Sequence, residues 1–183
     1  IIHTVGSLRK GAGGLSLSIT GFCTALGRLD LPVDLFSQAS PSANPADDLV
    51  MPPADQVRTT LVNMYRWSGF GMNHAPTFGA ALRERCQSLQ NPLLHEHGLW
   101  RPLNHTVVSL ARQLNIPLVI TPHGMLEPWA MNHKAWKKRL AWNLYQRRDL
   151  ESAAVLHATA EQEAESFRQL GLRPPIAIIP NGT

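Results

Sequence analysis

The chain has 183 residues, enough for one sizeable hydrophobic core and few for two complete domains. Hydrophobic residues at 44% and charged residues at 16% are typical of a globular protein, and no apolar run approaches the roughly 18 residues of a membrane-spanning helix. Six Lys and Arg and no acidic residue lie between Pro128 and Arg148, so the net charge of +4 comes from this segment alone. Outside it, the basic residues are fewer than the acidic ones, which argues against a protein built to bind nucleic acid.

Short apolar runs and amphipathic stretches alternate along the chain. The apolar runs predict strands at residues 1–8, 31–37, 59–65, 91–98, 116–124, 154–159 and 175–182, and the amphipathic stretches predict helices at 15–28, 77–89, 103–115, 134–152 and 160–171. Residues 38–58, rich in Pro, Ser, Ala and Asp, predict a long surface loop. The pattern predicts an α/β fold with a Rossmann-like, doubly wound, mainly parallel sheet of about seven strands. We expect one domain over residues 1–183, with 38–58 as an insertion.

The cellular context follows from the chain's start and its cysteines. The chain opens with Ile1 and Ile2 and lacks the regions of a signal peptide, so we expect it to begin within a longer protein. Cys23 and Cys86 lie in predicted helices without a metal-ligand companion, which indicates apolar filler in a reducing compartment. We therefore expect a cytoplasmic protein.

Polar residues and glycines follow several of the predicted strands. In an open parallel sheet, ligands bind outside the carboxyl ends of the strands, so these residues are expected at one functional edge. After the first strand come Gly11, Gly13 and Gly14; after the fourth, His95, Glu96, His97 and Gly98; after the fifth, His123, Gly124 and Glu127; after the last, Asn181 and Gly182.

Each of these groups has a structural alternative. Glycines before a helix allow a phosphate to approach the helix N-terminus, or they form a plain tight turn. His95 and His97 lie at i, i+2 on one face of a strand, where they hydrogen-bond neighbouring loops, line a pocket or, least favoured, bind a metal. His123 contacts a ligand or is structural. The chain has no G-x-S-x-G sequence, which argues against a serine hydrolase.

Five segments in order carry a resemblance to a known family: HEHGLW, IPLVITPHGMLEPWA, WKKRLAW, DLESAAVLHATAEQEAESFR and PIAIIPNG. Together they resemble the N-terminal half of family 4 glycosyltransferases, retaining enzymes with two Rossmann-like domains in the GT-B arrangement. The resemblance is close over residues 91–182 and looser over 1–37, whereas residues 38–75 match by position only. The family's E-x7-E sequence belongs to the second domain, so we expect this chain to be an acceptor-side half that is inactive alone.

The resemblance implies roles for the residues at the strand ends. His123 matches the histidine that contacts the donor sugar near the reacting carbon, and Gly13 and Gly14 match the loop that approaches the donor phosphates. Asn181 and Gly182 mark the edge toward the second domain. The implied substrates are a nucleotide sugar and a glycan or lipid-linked acceptor, with no metal and no cofactor. We expect four further residues to line the acceptor pocket: His95, His97, Glu127 and Trp129.

The basic segment is predicted to be a helix on which Trp136, Leu140 and Leu144 form one strip that faces the sheet. A tryptophan beside cations, away from that strip, is typical of an anionic membrane surface or of a site for a lipid-linked phosphate. The alternative is a solvated basic helix whose tryptophan packs under a loop. The residues of the predicted membrane or acceptor-phosphate surface are Lys134, Lys137, Lys138, Arg139 and Trp142.

For the whole chain, the alternative to a transferase is a non-catalytic Rossmann-like module that binds a phosphate ligand or a partner.

Overall fold

The computed structural model describes residues 1–39, 48–63, 65–66, 73–74 and 76–182. The chain forms two compact units, of which the first comprises Ile1–Pro92 with the chain's end from Gly182, and the second comprises Leu93–Asn181. In the first unit, β1 (Ile2–Val5), β2 (Asp34–Gln38) and β3 (Arg58–Val62) form parallel pairs in the order β3-β2-β1. Two short strands, β4 (Tyr65–Arg66) and β5 (Asn73–His74), pair in antiparallel fashion. The described residues of this unit include the α-helices α1 (Gly14–Gly27) and α2 (Pro76–Gln87) and a 3-10 turn at Lys10–Ala12.

The core of the first unit includes residues from the segment predicted to be a surface loop. Leu49 and Val57 are buried in one apolar cluster with Val5, Ile19 and Leu35, and Val50 donates a backbone hydrogen bond of 2.8 Å to Leu8. Leu49 and Val57 are therefore part of the core, contrary to the prediction of a surface loop, whereas Met51 and residues 53–55 are exposed, as that prediction expects. Residues 40–47 of that prediction, and residue 64 of the strand predicted at 59–65, lie outside the described residues.

The second unit contains four parallel strands, β6 (Leu94–His97), β7 (Leu118–Thr121), β8 (Val155–Ala158) and β9 (Ile176–Ile178), in that order. Helix α3 (Pro102–Leu114) connects β6 to β7 and packs on β6, and α7 (Glu161–Gln169) connects β8 to β9. Three shorter helices lie between β7 and β8: α4 (Pro128–Asn132), α5 (Ala135–Ala141) and α6 (Arg147–Glu151), the last two joined by a π-helical turn at Trp142–Gln146.

A helix joins each pair of consecutive strands in the second unit, and α1 joins β1 to β2 in the first. The described residues contain three parallel strands in the first unit and four in the second. The predicted Rossmann-like α/β class and the count of about seven strands are confirmed. No helix of the described residues is long and apolar enough to cross a membrane. Cys23 and Cys86 are free and buried, and burial raises the pKa of their thiols to about 12 and about 11, as expected for inert apolar filler.

The helix of the basic segment packs with a different face from the predicted one. Trp136, Leu140 and Leu144 are 68%, 54% and 64% exposed, so the prediction that this strip faces the sheet is wrong. Within the predicted helix at 134–152, the buried residues are Gln146, Asp149 and Leu150. Gln146 accepts a hydrogen bond of 3.0 Å from the backbone N–H of Trp100, and Asp149 bonds His105 at 2.8 Å. Two of the three buried residues thus have specific polar partners, and the third, Leu150, is apolar.

Candidate functional site

A strained turn follows strand β7. His123 and the next residue, Gly124, have φ values of +53° and +72°, and His123 is among the few non-glycine residues of the described chain with a positive φ. A left-handed conformation costs a residue with a side chain roughly 1–2 kcal/mol, so the surrounding contacts must hold it. Two backbone hydrogen bonds close the turn, from Met125 to Pro122 at 3.3 Å and from Glu127 to Gly124 at 3.1 Å. Strain of this kind at the end of a sheet strand is typical of a functional position.

Strand β6 places histidines and a carboxylate on opposite faces. The rings of His95 and His97 lie 4.1 Å apart, as the i, i+2 spacing predicts. Glu96 lies between the two histidines in sequence. Its side chain is buried and accepts a hydrogen bond from the amide of Asn104 on α3. Helix α3 therefore satisfies the carboxylate, whereas the two imidazoles are directed to the other face of the strand.

A chain of buried hydrogen bonds links three neighbouring strands through His157, Thr121 and His95. His157 Nε2 lies 2.8 Å from the carbonyl oxygen of Ile179, which can only accept, so Nε2 carries the proton. With neutral rings, the Thr121 hydroxyl then donates to His157 Nδ1 at 2.9 Å and accepts from His95 Nε2 at 2.7 Å. The hydrogen bonds thus fix the tautomers of both histidines.

His97 contacts His123, the candidate catalytic residue. Nδ1 of His97 lies 3.0 Å from Nε2 of His123, and the centres of the two rings are 5.3 Å apart. Burial lowers the pKa of His123 to about 4; the carboxylate of Glu163 opposes this shift and His157 adds to it. His123 is consequently a neutral imidazole at neutral pH, held by His97 at one nitrogen.

The carboxylate of Glu163 reaches the turn from α7. Its Oε1 accepts from the backbone N–H of Gly124 at 2.7 Å, and its Oε2 accepts from the backbone N–H and the hydroxyl of Thr159 at 2.8 and 3.0 Å. The side chain is 3% exposed and lies in the first turn of α7, where the helix dipole favours a negative charge. Glu163 therefore joins the turn after β7 to the turn after β8.

The other predicted pocket residues differ in exposure. His95 and His97 are buried and hydrogen-bonded to Thr121 and His123, in agreement with the alternative of a structural pair at a strand end. Glu127 is buried, and its Oε2 accepts from Gln162 at 3.2 Å. Trp129 is 72% exposed on α4. Their role in an acceptor pocket stays a prediction. The assignment of the exposed residues Asn181 and Gly182 to the edge toward the second domain also stays a prediction.

The glycine loop of the first unit precedes α1. Gly13 has φ +92° and ψ −170°, a conformation that favours glycine, and the buried hydroxyl of Ser16 bonds the carbonyls of Arg9 and Gly13 at 3.0 Å each. Gly14 is the first residue of α1 and is exposed. A Cβ added at Gly13 or Gly14 meets no atom within 4 Å among the described residues. Packing among the described residues therefore does not require a glycine at position 14.

The cations of the basic segment differ in their contacts and in their exposure. The Lys138 ammonium donates to the carbonyl of Ala130 and lies 5.4 Å from the ring of Trp100, which is 6.5 Å from the half-buried ring of Trp142. Burial, with a smaller effect of Lys134, lowers the pKa of Lys138. The Lys137 ammonium lies over the exposed ring of Trp136 at 5.4 Å. Exposed cations accompany the exposed apolar strip: Lys134, Lys137, Arg139, Arg147 and Arg148.

The sequence patterns did not identify Thr121, His157 or Glu163. Thr121 and His157 lie within apolar strands and resemble core residues. Glu163 had a signal, because an acidic residue in the first turn of a helix after a Thr is typical of a residue that accepts backbone N–H groups at the helix start.

The parallel strands, the connecting helices and the glycine loop before α1 define a Rossmann-like α/β fold. The chain matches the Glycosyl transferase 4-like domain family over residues 13–182 and belongs to that family. No curated protein sequence is significantly similar to it.

Solved structures show the same fold. Anabaena Alr3699/HepE in complex with UDP-glucose superposes with a TM-score of 0.65 at 15% identity, over 100% of this chain and 43% of that one. MurG of Acinetobacter baumannii gives 0.53 at 13% identity, over 100% and 46%. An α,α-trehalose-phosphate synthase (UDP-forming) of Burkholderia vietnamiensis gives 0.50 at 15% identity, over 92% and 42%. The chain thus spans less than half the length of these structures, and the prediction of one half of a GT-B fold is confirmed.

Proposed function

We propose that this chain is the acceptor-side half of a retaining glycosyltransferase, which moves a hexosyl group from a nucleotide sugar to a glycan or lipid-linked acceptor in polysaccharide or glycoconjugate biosynthesis. The family membership supports transfer of a sugar. The complex of Alr3699/HepE with UDP-glucose supports a nucleotide-sugar donor, with a uracil nucleotide as the first to test.

The observation that carries the proposal is the neutral His123 in its strained turn at the end of β7. Transfer with retention develops positive charge on the sugar ring and negative charge on the departing phosphate. A neutral imidazole hydrogen-bonds a sugar hydroxyl without placing a second positive charge beside that ring. Because His97 occupies Nε2 of His123, the Nδ1 nitrogen is the one we assign to the donor sugar.

We propose separately that the glycine loop of the first unit binds a phosphate of the donor. The first N–H groups of α1 have no partner within the helix and carry partial positive charge, so they suit a phosphate. The open space at Gly14 lets that phosphate approach the backbone closely. In this proposal backbone donors and basic side chains absorb the charge of the leaving group, and neither a metal nor a cofactor takes part.

Sugar transfer by the full-length protein tests the proposal. Nucleotide sugars are supplied with glycan and lipid-linked acceptors, and the anomeric configuration of the product is read by NMR. A product with the donor's configuration supports retaining transfer, whereas an inverted product contradicts it. Tight nucleotide binding without turnover on any acceptor favours the alternative, a non-catalytic module. We propose that residues 1–183 alone do not transfer sugar, because the structural relatives extend over more than twice this length.

We propose in addition that the exposed strip of Trp136, Leu140 and Leu144 contacts an anionic membrane at the cytoplasmic face. Three large apolar side chains in one line, flanked by exposed cations and by no carboxylate between Pro128 and Arg148, match an interfacial helix. Their exposure favours this surface over the predicted one around Trp142, which packs beside Trp100. A membrane-bound enzyme would meet a lipid-linked acceptor in the plane of the bilayer.

A further inference from the structure

We infer that Glu163 is a positioning residue, whose carboxylate clamps the turn that holds His123 and thereby orients its imidazole for sugar transfer. This inference rests on the proposed function of His123. Glu163 touches neither the donor nor the acceptor in this account and acts through the backbone of Gly124.

The clamp is built from both carboxylate oxygens. One oxygen accepts a hydrogen bond from the backbone N–H of Gly124 in the turn after β7. The other accepts from the backbone N–H and the hydroxyl of Thr159 in the turn after β8, so the carboxylate has three donors. Since β7 and β8 are paired strands, the carboxylate spans the loops that leave two adjacent strand ends. Hydrogen bonds to a charged acceptor are roughly twice as strong as neutral ones, and those of Glu163 are shorter than the two backbone bonds that close the His123 turn.

A purely electrostatic role for Glu163 is the competing explanation. A carboxylate near an imidazole raises its pKa and favours the imidazolium, as in a catalytic dyad. Here burial outweighs that effect, because the pKa of His123 is about 4 in spite of Glu163. The carboxylate therefore does not make His123 a cation at neutral pH, and its three hydrogen bonds to the two turns remain as its function.

The clamp requires that both carboxylate oxygens accept hydrogen bonds, and substitutions of Glu163 test this requirement. Glu163→Gln keeps the size but replaces one acceptor by an NH2 group, which faces a backbone N–H. Glu163→Asp keeps the charge but is one methylene shorter, so it does not span the two turns. Both variants should release the turn, and we expect kcat of the full-length protein to fall by about 100-fold, as for a small misplacement of a catalytic group, with KM little changed.

The pKa of His123, followed by NMR on the full-length protein, gives a readout that is independent of activity. If Glu163→Gln releases the turn, His123 becomes more exposed and its pKa rises from about 4 toward 6.5. If Glu163 is only a nearby charge, its removal lowers the pKa further. A rise supports the clamp, and a fall or no change overturns it. A rise with unchanged kcat refutes the role of His123 in transfer, and with it the positioning role of Glu163.

Two further variants keep the test decisive. Glu165→Gln, at an exposed position of the same helix, is the matched control and should leave both kcat and the His123 pKa unchanged. Should Glu163→Gln fail to fold, Thr159→Val removes one hydroxyl donor while it keeps the backbone bonds. We expect a smaller rise of the His123 pKa in that variant, and no rise there overturns the clamp.

Discussion

His97 and His123 face each other through ring nitrogens 3.0 Å apart, Nδ1 of one and Nε2 of the other. One nitrogen must carry a proton and the other must be free to accept it, so the contact fails when both rings become imidazolium. Burial keeps His123 neutral down to about pH 4. The geometry of the candidate site is therefore linked to the protonation of one histidine.

The first prediction concerns stability against pH. The unfolded chain protonates the His123 imidazole near pH 6.5, whereas the folded chain does so only near pH 4. Its contribution to the free energy of unfolding is thus fully present above pH 6.5 and is lost as pH falls toward 4. His123→Asn, which tolerates the left-handed conformation, should show a shallower loss over this window in urea titrations. The same slope as in wild type would contradict the lowered pKa, and the exposed His133→Asn is the control.

The second prediction concerns the buried carboxylate of Asp34. Arg85 donates to its two oxygens through Nε and Nη2, at 2.9 Å each, and its side chain is 23% exposed. Arg85→Ala leaves this carboxylate without its bidentate partner, so we expect the free energy of unfolding to fall by about 2–4 kcal/mol. Arg58 lies 3.9 Å from the same carboxylate with its side chain 68% exposed, and Arg58→Ala should cost less than about 1 kcal/mol. Equal losses in chemical denaturation would contradict this ranking.

The order of strands and helices could be predicted because short apolar runs and amphipathic periods are visible in a single sequence. The face with which the basic segment packs could not be predicted in this way. On that face Gln146 bonds the backbone of Trp100 and Asp149 bonds His105. These partners lie some 45 residues away in sequence, and no local period reveals them.

The residues of the candidate site could likewise be predicted only in part. Rules for parallel sheets predicted His123 and the glycine loop from their positions after strands. Thr121 and His157 escaped prediction because their hydrogen bond joins the side chains of two strands that are far apart in sequence. Glu163 escaped it because its partners lie in the turns after two adjacent strands. Leu49 and Val57 escaped it for a related reason, since a segment rich in Pro and Asp looks like a surface loop although these two side chains enter the core.

The third prediction concerns the glycine loop. A side chain at position 14 would hold a donor phosphate away from the N-terminus of α1, so Gly14→Val in the full-length protein should weaken binding of a nucleoside diphosphate by at least about 10-fold, a loss of roughly 1.4 kcal/mol. Gly21→Val in the middle of α1 is the matched control, because a Cβ there also meets no atom within 4 Å among the described residues. Titration calorimetry measures both. Unchanged affinity in Gly14→Val would leave the loop as a plain turn.

The fourth prediction concerns the exposed strip. Leu140→Ser and Trp136→Ser should reduce co-sedimentation of the full-length protein with anionic vesicles, and added salt should weaken binding because the flanking cations contribute. The matched control is Leu17→Ser, an equally exposed leucine on α1. Trp142→Ala should act mainly on stability, because this ring packs beside Trp100. Binding that is independent of anionic lipid, or unaffected by the strip variants, would contradict the membrane surface.

The fifth prediction concerns His123, which we expect to act on the donor sugar during transfer. We expect His123→Ala and His123→Asn in the full-length protein to lower kcat by about 100- to 1000-fold while KM for the nucleotide sugar changes little, because the interaction strengthens in the transition state. His133→Ala should behave as wild type, and circular dichroism checks the fold of each variant. Steady-state kinetics at neutral pH decides the matter. A folded His123→Ala protein with wild-type kcat would contradict the account.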